Sequence, residues 1–321
     1  MRYHTNTPRK ARHMRPRHKR RPLVMLTLII LACAVIWHVG SHLVSGSAVP
    51  VPEDMAIVRY MWDTPSATQT SYEYEYYEPY EPAQQAFTFA ELAALSNDHL
   101  LLVNPDYAVP RHLSFDLVRL GSHVNSLNPD MMLNEHALSA LRAMFDSAAG
   151  IGHTQFRVTQ AFRTHEYQQS LYDQFAGTGL AATPGHSEHQ VGLAVDISYH
   201  GVNIGNSVQG DWLMSYSYRY GFILRYPEHK THVTGVPFEP WHYRYVGQPH
   251  AYFIAQNDMV MEEYIAYLQL NGELRVRVDG VDFTVFYLDN PEGVLEIPYG
   301  RRFWTSVDNT GGVIVTVNNA R

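Results

Sequence analysis

The spacing of apolar residues predicts a helix followed by a strand in the middle of the chain. From residue 134 to residue 149, apolar side chains recur every three or four positions, which is typical of a helix with one buried face. Asn134 can cap the first turn of this helix, and Gly150 is expected to end it. Residues 156–162 alternate between apolar and polar side chains instead, which predicts a strand.

A second helix is predicted directly after this strand. Thr164 can cap its first turn, and Tyr167, Leu171 and Phe175 would form its buried face. Arg163 then lies between the strand and the helix, which is a position from which a side chain can reach into a cleft.

The last fifty residues have a different pattern from the part before them. A helical pattern ends at Asn271-Gly272, and alternating residues follow on both sides of Asp279-Gly280, a pair typical of hairpin turns. Further alternating stretches lie at residues 294–298, 303–307 and 313–317. Residues 271–321 are therefore predicted to form a small β extension.

The N-terminal residues predict a membrane anchor. Residues 1–21 contain nine Lys or Arg and no acidic residue, and residues 22–44 contain no charged residue. An apolar helix of this length spans about 33 Å, which is enough to cross a bilayer. The basic tail is expected in the cytoplasm and residues 45–321 outside. A cleaved signal peptide, with residues 46–48 as the cleavage site, is the alternative.

Charge and cysteine content limit the functions and the metal sites that are possible for this chain. After residue 21 the chain has 15 Lys or Arg against 31 Asp or Glu, which argues against a basic nucleic-acid-binding protein. The single cysteine, Cys33, rules out an intramolecular disulfide and a cysteine-based zinc site.

Residues 45–96 are acidic and rich in Tyr and Pro, so they are predicted to form an extended spacer.

Two short motifs carry the candidate chemistry. Residues 187–196 are S-E-H-Q-V-G-L-A-V-D, and residues 239–242 are E-P-W-H. His189, Asp196 and His242 offer two imidazoles and one carboxylate, and catalytic zinc typically takes three protein ligands of these kinds.

One zinc ion can bind both His189 and Asp196 only if the chain bends between them. Residues 192–198 alternate and predict a strand. Seven residues of straight strand would separate the two side chains by about 23 Å. Gly192 is the residue best able to allow the bend, because glycine adopts backbone conformations that other residues avoid.

These motifs resemble those of the VanY-type zinc D-alanyl-D-alanine carboxypeptidases, S-x-H-x-x-G-x-A-x-D followed by E-x-x-H. Every fixed position is present: Ser187, His189, Gly192, Ala194, Asp196, Glu239 and His242. Residues 102–105, 161–164, 220–227 and 243–247 also match stretches of the family in the same order. The resemblance covers roughly residues 97–265, which is far more specific than one short motif.

The resemblance implies a fold, a cofactor and a set of roles. The fold would be α+β, a small antiparallel sheet with helices on one side (the DD-peptidase/hedgehog-like zinc fold), and residues 97–270 would form the carboxypeptidase domain. His189, Asp196 and His242 would bind Zn²⁺. The other roles would fall to Glu239 as the general base, Arg163 as the group stabilising the oxyanion, and Ser187 and Gln168 as substrate-binding residues. The substrate would be a peptidoglycan stem peptide ending in D-alanine.

Several alternatives stay open at this point. Related enzymes cleave the L,D-bond of tetrapeptide stems or split free D-Ala-D-Ala, and these motifs do not separate them. A zinc-stabilised binding module is a third possibility, although it would have no need of Glu239. Glu188 is a second candidate base that is expected to point away from the metal, and His186 is expected at the lip of the cleft or on the surface.

Overall fold

A computed structural model describes residues 83–178, 181–200 and 204–320. The predicted basic tail and membrane anchor, residues 1–21 and 22–44, lie outside the described residues. Across the three described ranges, no helix is both long enough and apolar enough to cross a membrane.

Most of the described chain is arranged in short strands and helices. The strands are β1 Gln84–Thr88, β2 Leu117–Arg119, β3 Met132–Asn134, β4 Phe156–Gln160, β5 Ala194–Tyr199, β6 Phe222–Leu224, β7 His242–Tyr245, β8 Glu273–Val278, β9 Val281–Leu288, β10 Val294–Pro298, β11 Arg302–Val307 and β12 Val313–Asn318. The helices are α1 Phe89–Ala94, α2 Glu135–Gly150, α3 His165–Gln174, α4 Val208–Tyr216, α5 Thr231–Thr234, α6 His250–Gln256 and α7 Met261–Asn271.

Four strands form an antiparallel sheet in the order β4-β5-β7-β6. Helix α2 buries Leu138, Leu141 and Met144 in the same apolar cluster as Val158 of β4 and Val195 of β5. A helix with one apolar face thus covers a small antiparallel sheet, as expected for an α+β fold.

The predicted caps of both helices are confirmed, but one predicted face is wrong. The side chain of Asn134 accepts hydrogen bonds from backbone amides in the first turn of α2. This helix includes Gly150, so it ends one residue later than expected. Thr164 caps α3. Of the expected buried face, Tyr167 is 46% exposed, and Leu171 and Phe175 line a cleft instead. Gln168 is the residue that α3 buries completely, because its amide finds partners inside the protein.

The C-terminal strands form a second antiparallel sheet in the order β11-β12-β9-β8. Asp279 and Gly280 connect β8 to β9, as the hairpin pattern predicts. Both faces of this sheet are covered. Val315 of β12 packs in a cluster with Leu92 of α1, whereas its neighbour Ile314 packs in a cluster with residues of α7.

Residues 83–96, the described part of the predicted spacer at residues 45–96, pair and pack with the C-terminal strands. Strand β1 pairs with β10, so that Gln84 lies opposite Pro298. Thr88 and Glu91 form a capping box that begins α1, and Leu92 of that helix is fully buried. The acidic Tyr- and Pro-rich run ends at Pro82, and the residues after it have the apolar side chains that pairing and packing require.

Candidate active site

A tight bend brings the two halves of the first motif together. Residues Glu188–Val191 form one turn of 3-10 helix, and Gly192 ends it with a φ of 69°. A side chain on Gly192 would be strained at this φ and would also overlap Leu117. The predicted bend at Gly192 is therefore confirmed, and it places His189 beside strand β5.

Strand pairing places Asp196 beside His242. The two residues are direct partners in the antiparallel pair of β5 and β7, so their side chains lie on the same face of the sheet. One nitrogen or oxygen of His189, Asp196 and His242 each lies within 4.8 Å of the others, and all three side chains are buried. The structure thus brings the three predicted metal ligands together.

In each imidazole, one ring nitrogen contacts a group outside the three predicted ligands, and the other ring nitrogen faces Asp196. Nδ1 of His189 donates to the carbonyl oxygen of Ala161 at 2.8 Å, which leaves Nε2 at 3.3 Å from Oδ1 of Asp196. Nε2 of His242 lies 3.2 Å from a carboxylate oxygen of Glu188, and Nδ1 lies 3.1 Å from the same Oδ1. Metal-binding histidines typically have such an outer partner, because it fixes the ring and its tautomer.

The pKa values of the three groups depend on their mutual contacts. Burial lowers the pKa of His242, but hydrogen bonds to Asp196 and Glu188 outweigh it and raise this pKa to about 9. Burial lowers the pKa of His189. The two imidazoles hold the pKa of Asp196 well below its ordinary value despite its burial. The site therefore presents one ionised carboxylate to two imidazoles that differ in proton affinity.

Glu188 is part of a buried ion cluster rather than a second base. Its side chain is fully buried and accepts from Arg225 Nε at 2.7 Å and from Arg244 Nη1 at 2.9 Å. These guanidinium groups outweigh burial and hold the pKa of Glu188 far below its ordinary value. Arg225 also binds Glu262 through both terminal nitrogens, at 2.9 and 2.6 Å. The carboxylate is therefore unavailable to a substrate, in agreement with the expectation that it points away.

Arg225, Arg244 and Glu262 were not predicted from the sequence to have a role in the site. The two arginines lie in stretches that match the family, at residues 220–227 and 243–247, so a signal was present. Their shared partner Glu188 is 37 residues from Arg225 and 56 from Arg244, and only the folded chain reveals the cluster.

Glu239 and Arg163 each lie beside one of the three predicted ligands. Oε2 of Glu239 is 3.6 Å from Nδ1 of His242, and burial raises the pKa of this carboxyl above its ordinary value. Nη2 of Arg163 is 3.5 Å from Oδ2 of Asp196. Both side chains line the same cleft. The carboxyl group of Glu239, a possible proton acceptor, and the guanidinium of Arg163, a fixed cation, thus line one cleft beside the candidate metal centre.

Gln168 holds Arg163 in place. Its Oε1 accepts from Nη1 of Arg163 at 3.3 Å, and its Nε2 donates to the carbonyl oxygen of Ala182 at 2.8 Å. Nε of Arg163 donates to Gln160 Oε1 at 3.3 Å. The buried amide of Gln168 thus orients the arginine, and its expected role in binding the substrate stays a prediction. Ser187, the other predicted substrate-binding residue, lines the cleft.

The cleft beside these residues has a volume of about 800 Å³. Leu171 of α3 and Phe175, the residue directly after it, line its wall, which explains why this apolar face is not in the core. His186 also lines the cleft, and its Nδ1 is 2.8 Å from the carbonyl oxygen of Asn104. This is the position at the lip that the sequence suggested. A cleft of this size can hold several residues of a peptide.

Comparison with known proteins identifies the family. Residues 130–248 match the family model of VanY, D-alanyl-D-alanine carboxypeptidase. A D-alanyl-D-alanine carboxypeptidase of Enterococcus faecium is 33% identical over 68% of this chain and 75% of its own length. A second one, from Enterococcus faecalis, is 32% identical over 82% of this chain and 97% of its own length.

A solved structure extends the likeness to the fold beyond the motifs. The vancomycin-resistance D,D-dipeptidase VanXYg, in complex with a phosphinate analogue of D-Ala-D-Ala, matches with a TM-score of 0.63 at 24% identity. The match covers 74% of this chain and 100% of the VanXYg chain. Residues 97–270 make up a smaller share of this chain, so the likeness extends beyond the predicted carboxypeptidase domain. The identity and coverage of the two enterococcal relatives, together with the family match over the motifs, show that this chain belongs to the VanY family of D-alanyl-D-alanine carboxypeptidases.

Proposed function

We propose that this chain is a zinc-dependent D,D-carboxypeptidase that releases the C-terminal D-alanine of peptidoglycan stem peptides. One observation carries the proposal: the three predicted ligands, the carboxylate of Glu239 and the guanidinium of Arg163 converge on a single cleft. The two enterococcal relatives are named for this activity.

The donor set fits a zinc ion. Two imidazole nitrogens and one carboxylate oxygen are common zinc ligands, and three of them leave a position open for a reacting molecule. The hydrogen bonds from His189 to Ala161 and from His242 to Glu188 leave one nitrogen of each ring free to bind the metal. When bound there, zinc supplies Lewis-acid activation of the scissile carbonyl and of the attacking water.

Glu239 is the residue placed to move protons. It lies beside His242 without sharing the hydrogen bonds that hold the three ligands, so its carboxylate can accept a proton from the attacking water. The raised pKa of Glu239 makes it a stronger base than an exposed glutamate. Because the protonated form is also an acid, Glu239 can then donate this proton to the amino group of the departing D-alanine.

Arg163 is placed to stabilise the negative charge that develops on the carbonyl oxygen. Its guanidinium is held by Gln160, Gln168 and Asp196, so little reorganisation is needed when the charge forms. Removing one such preorganised donor from a hydrolase typically lowers kcat by about 10²–10³.

The same cleft must distinguish three kinds of substrate. A D,D-carboxypeptidase accepts a pentapeptide stem ending in D-Ala-D-Ala, an L,D-carboxypeptidase accepts a tetrapeptide stem, and a D,D-dipeptidase accepts free D-Ala-D-Ala. The cleft of about 800 Å³ is much larger than a dipeptide needs, which favours a stem peptide.

We also propose that residues 1–21 are cytoplasmic and that the catalytic part lies outside the membrane, where peptidoglycan is found.

Mass spectrometry of defined peptides tests the proposed function. The zinc-loaded full-length protein is incubated separately with a pentapeptide stem, a tetrapeptide stem and free D-Ala-D-Ala. The proposal requires release of D-alanine from the pentapeptide, with loss of the activity after chelation and recovery with zinc. Exclusive cleavage of the tetrapeptide or of the dipeptide would reassign the substrate. A protein that binds zinc and cleaves none of the three would be a binding module.

A further inference from the structure

One turn of the C-terminal sheet holds the segment that forms a lip of the cleft. Asn309 lies between β11 and β12, and its side-chain Nδ2 donates to two backbone carbonyl oxygens. The acceptors are Leu102, at 2.9 Å, and Ala108, at 2.7 Å. The two hydrogens of a single amide thus fasten both ends of residues 102–108. The backbone of the same turn adds a third bond, from the Leu102 amide to the carbonyl oxygen of Asp308 at 3.0 Å.

The fastened segment connects the sheet to the cleft. Asn104 and Pro105 line the cleft, and the carbonyl oxygen of Asn104 is the partner of His186 Nδ1. Nδ2 of Asn104 donates to Glu262, the carboxylate that binds Arg225. Directly after the segment, the amide of Val109 donates to the carbonyl oxygen of Gly185 at 2.7 Å. Residues 102–109 therefore fix the chain just before Ser187.

We propose that Asn309 is a positioning residue for substrate binding, and that the C-terminal sheet is a working part of the peptidase cleft. This inference rests on the proposed function for its kinetic effect. The turn at Asn309 does not line the cleft itself. It fastens the segment that does, and this segment contacts the loop carrying His186 and Ser187. The sheet acts on how the peptide is held rather than on the reacting groups.

Asparagine suits this position for two independent reasons. Its backbone has a φ of 68°, a left-handed conformation that asparagine adopts more readily than most residues. Its amide is also the smallest side chain that offers two hydrogens from one nitrogen. Aspartate would keep the shape and the backbone tolerance, but its carboxylate would face two carbonyl oxygens with no hydrogen to donate.

Asn309→Asp in the full-length protein is therefore the test, and Asn319→Asp is the matched control. Asn319 is half-buried in the same part of the molecule, and its Nδ2 donates to Thr284 Oγ1 at 2.9 Å, within the sheet. With a pentapeptide stem ending in D-Ala-D-Ala, we expect Asn309→Asp to raise KM about tenfold, equivalent to the loss of one or two hydrogen bonds. We expect kcat within about twofold of wild type, a full equivalent of zinc, and a control that behaves as wild type.

Hydrogen exchange provides a readout that is independent of catalysis. The amides of Leu102 and Val109 should exchange as slowly in the wild type as those of β12, and Asn309→Asp should speed their exchange while β12 stays protected. If Asn309→Asp does not fold, Asn309→Gly removes the donor without backbone strain, and the wild-type exchange pattern remains decisive.

Each outcome bears on one claim. An unchanged KM with unchanged exchange in residues 102–109 would overturn the positioning role, as would equal effects in Asn319→Asp. Fast exchange of Leu102 and Val109 in the wild type would overturn it as well. If the wild type cleaves no peptide, the proposed function fails, and hydrogen exchange alone still decides whether Asn309 holds the segment.

Discussion

Replacing Glu188 with glutamine would neutralise the carboxylate that two guanidinium groups and the imidazole of His242 share. Glutamine keeps the volume and one acceptor oxygen. Its NH₂ group, however, would face a donor where Glu188 now accepts. Arg225 would keep its ion pair with Glu262. Arg244 would keep its bonds to three backbone carbonyl oxygens but would lose its only carboxylate partner among the described residues.

The expected cost follows from the burial of this cluster. The side chains of Glu188, Arg225 and Arg244 are all fully buried. Removing one partner of a buried ion pair typically costs about 3–5 kcal/mol, because the remaining charge stays without compensation. We expect a value near the lower end, about 3 kcal/mol, since Glu262 still neutralises Arg225. The outer partner of a metal-binding histidine is typically worth about 10–100-fold in metal affinity, so zinc binding should weaken by a similar factor.

Two measurements on the full-length protein check this prediction. Urea unfolding of the metal-free protein gives the free energy of unfolding, and a competitive chelator titration gives the zinc affinity. Glu273→Gln is the matched control, because Glu273 pairs with Arg275 on the surface of β8 and should change stability by less than about 1 kcal/mol. A loss below about 1 kcal/mol in Glu188→Gln, with wild-type zinc affinity, would refute the buried-cluster argument.

Three further predictions follow from the site and the N-terminal sequence. His242→Ala should lose stoichiometric zinc in metal analysis of the purified protein, and a full equivalent of retained zinc would show that the ligand assignment is wrong. The raised pKa of His242, about 9, means that zinc binding below this pH must displace one proton, whereas the lowered pKa of His189 leaves that ring neutral. Zinc affinity should therefore rise about tenfold per pH unit from about pH 7 to pH 9, as seen by calorimetry in buffers of different ionisation enthalpy, and a pH-independent affinity would contradict this. Protease added to intact spheroplasts should digest residues 97–321, and protection of that region in sealed cells would overturn the proposed topology.

Two of the three predicted ligands could be placed relative to each other from the sequence because the geometry between them is local. The motif spacing placed His189 and Asp196 on either side of Gly192, and one bend was enough to join them. Asn134 and Thr164 marked helix starts for the same reason, since a cap depends only on the next few residues.

Features that depend on distant partners were missed. The spacing of apolar residues in and just after α3 is that of a helix packed in the core. Only the folded structure shows that Leu171 and Phe175 line the cleft. Strand β1 is stabilised by pairing with β10, near the other end of the chain, so its own composition gives little signal. The contact of Asn309 with Leu102 likewise joins residues 207 positions apart.

Glu239→Ala separates the proposed catalytic role of Glu239 from metal binding. Glu239 is not among the three grouped ligands, so the variant should keep its fold and a full equivalent of zinc. Loss of a general base typically lowers the rate by about 10²–10⁴. Glu228→Ala is the matched control, because Glu228 is an exposed glutamate between β6 and β7.

The decisive measurement is the rate of D-alanine release from a pentapeptide stem by zinc-loaded wild type, Glu239→Ala and Glu228→Ala. We expect turnover by the wild type and the control, and at least a hundredfold slower release by Glu239→Ala at equal zinc content. If Glu239→Ala keeps most of the activity, the base is another group. If the zinc-loaded wild type releases no D-alanine, the chain is not the D,D-carboxypeptidase proposed here.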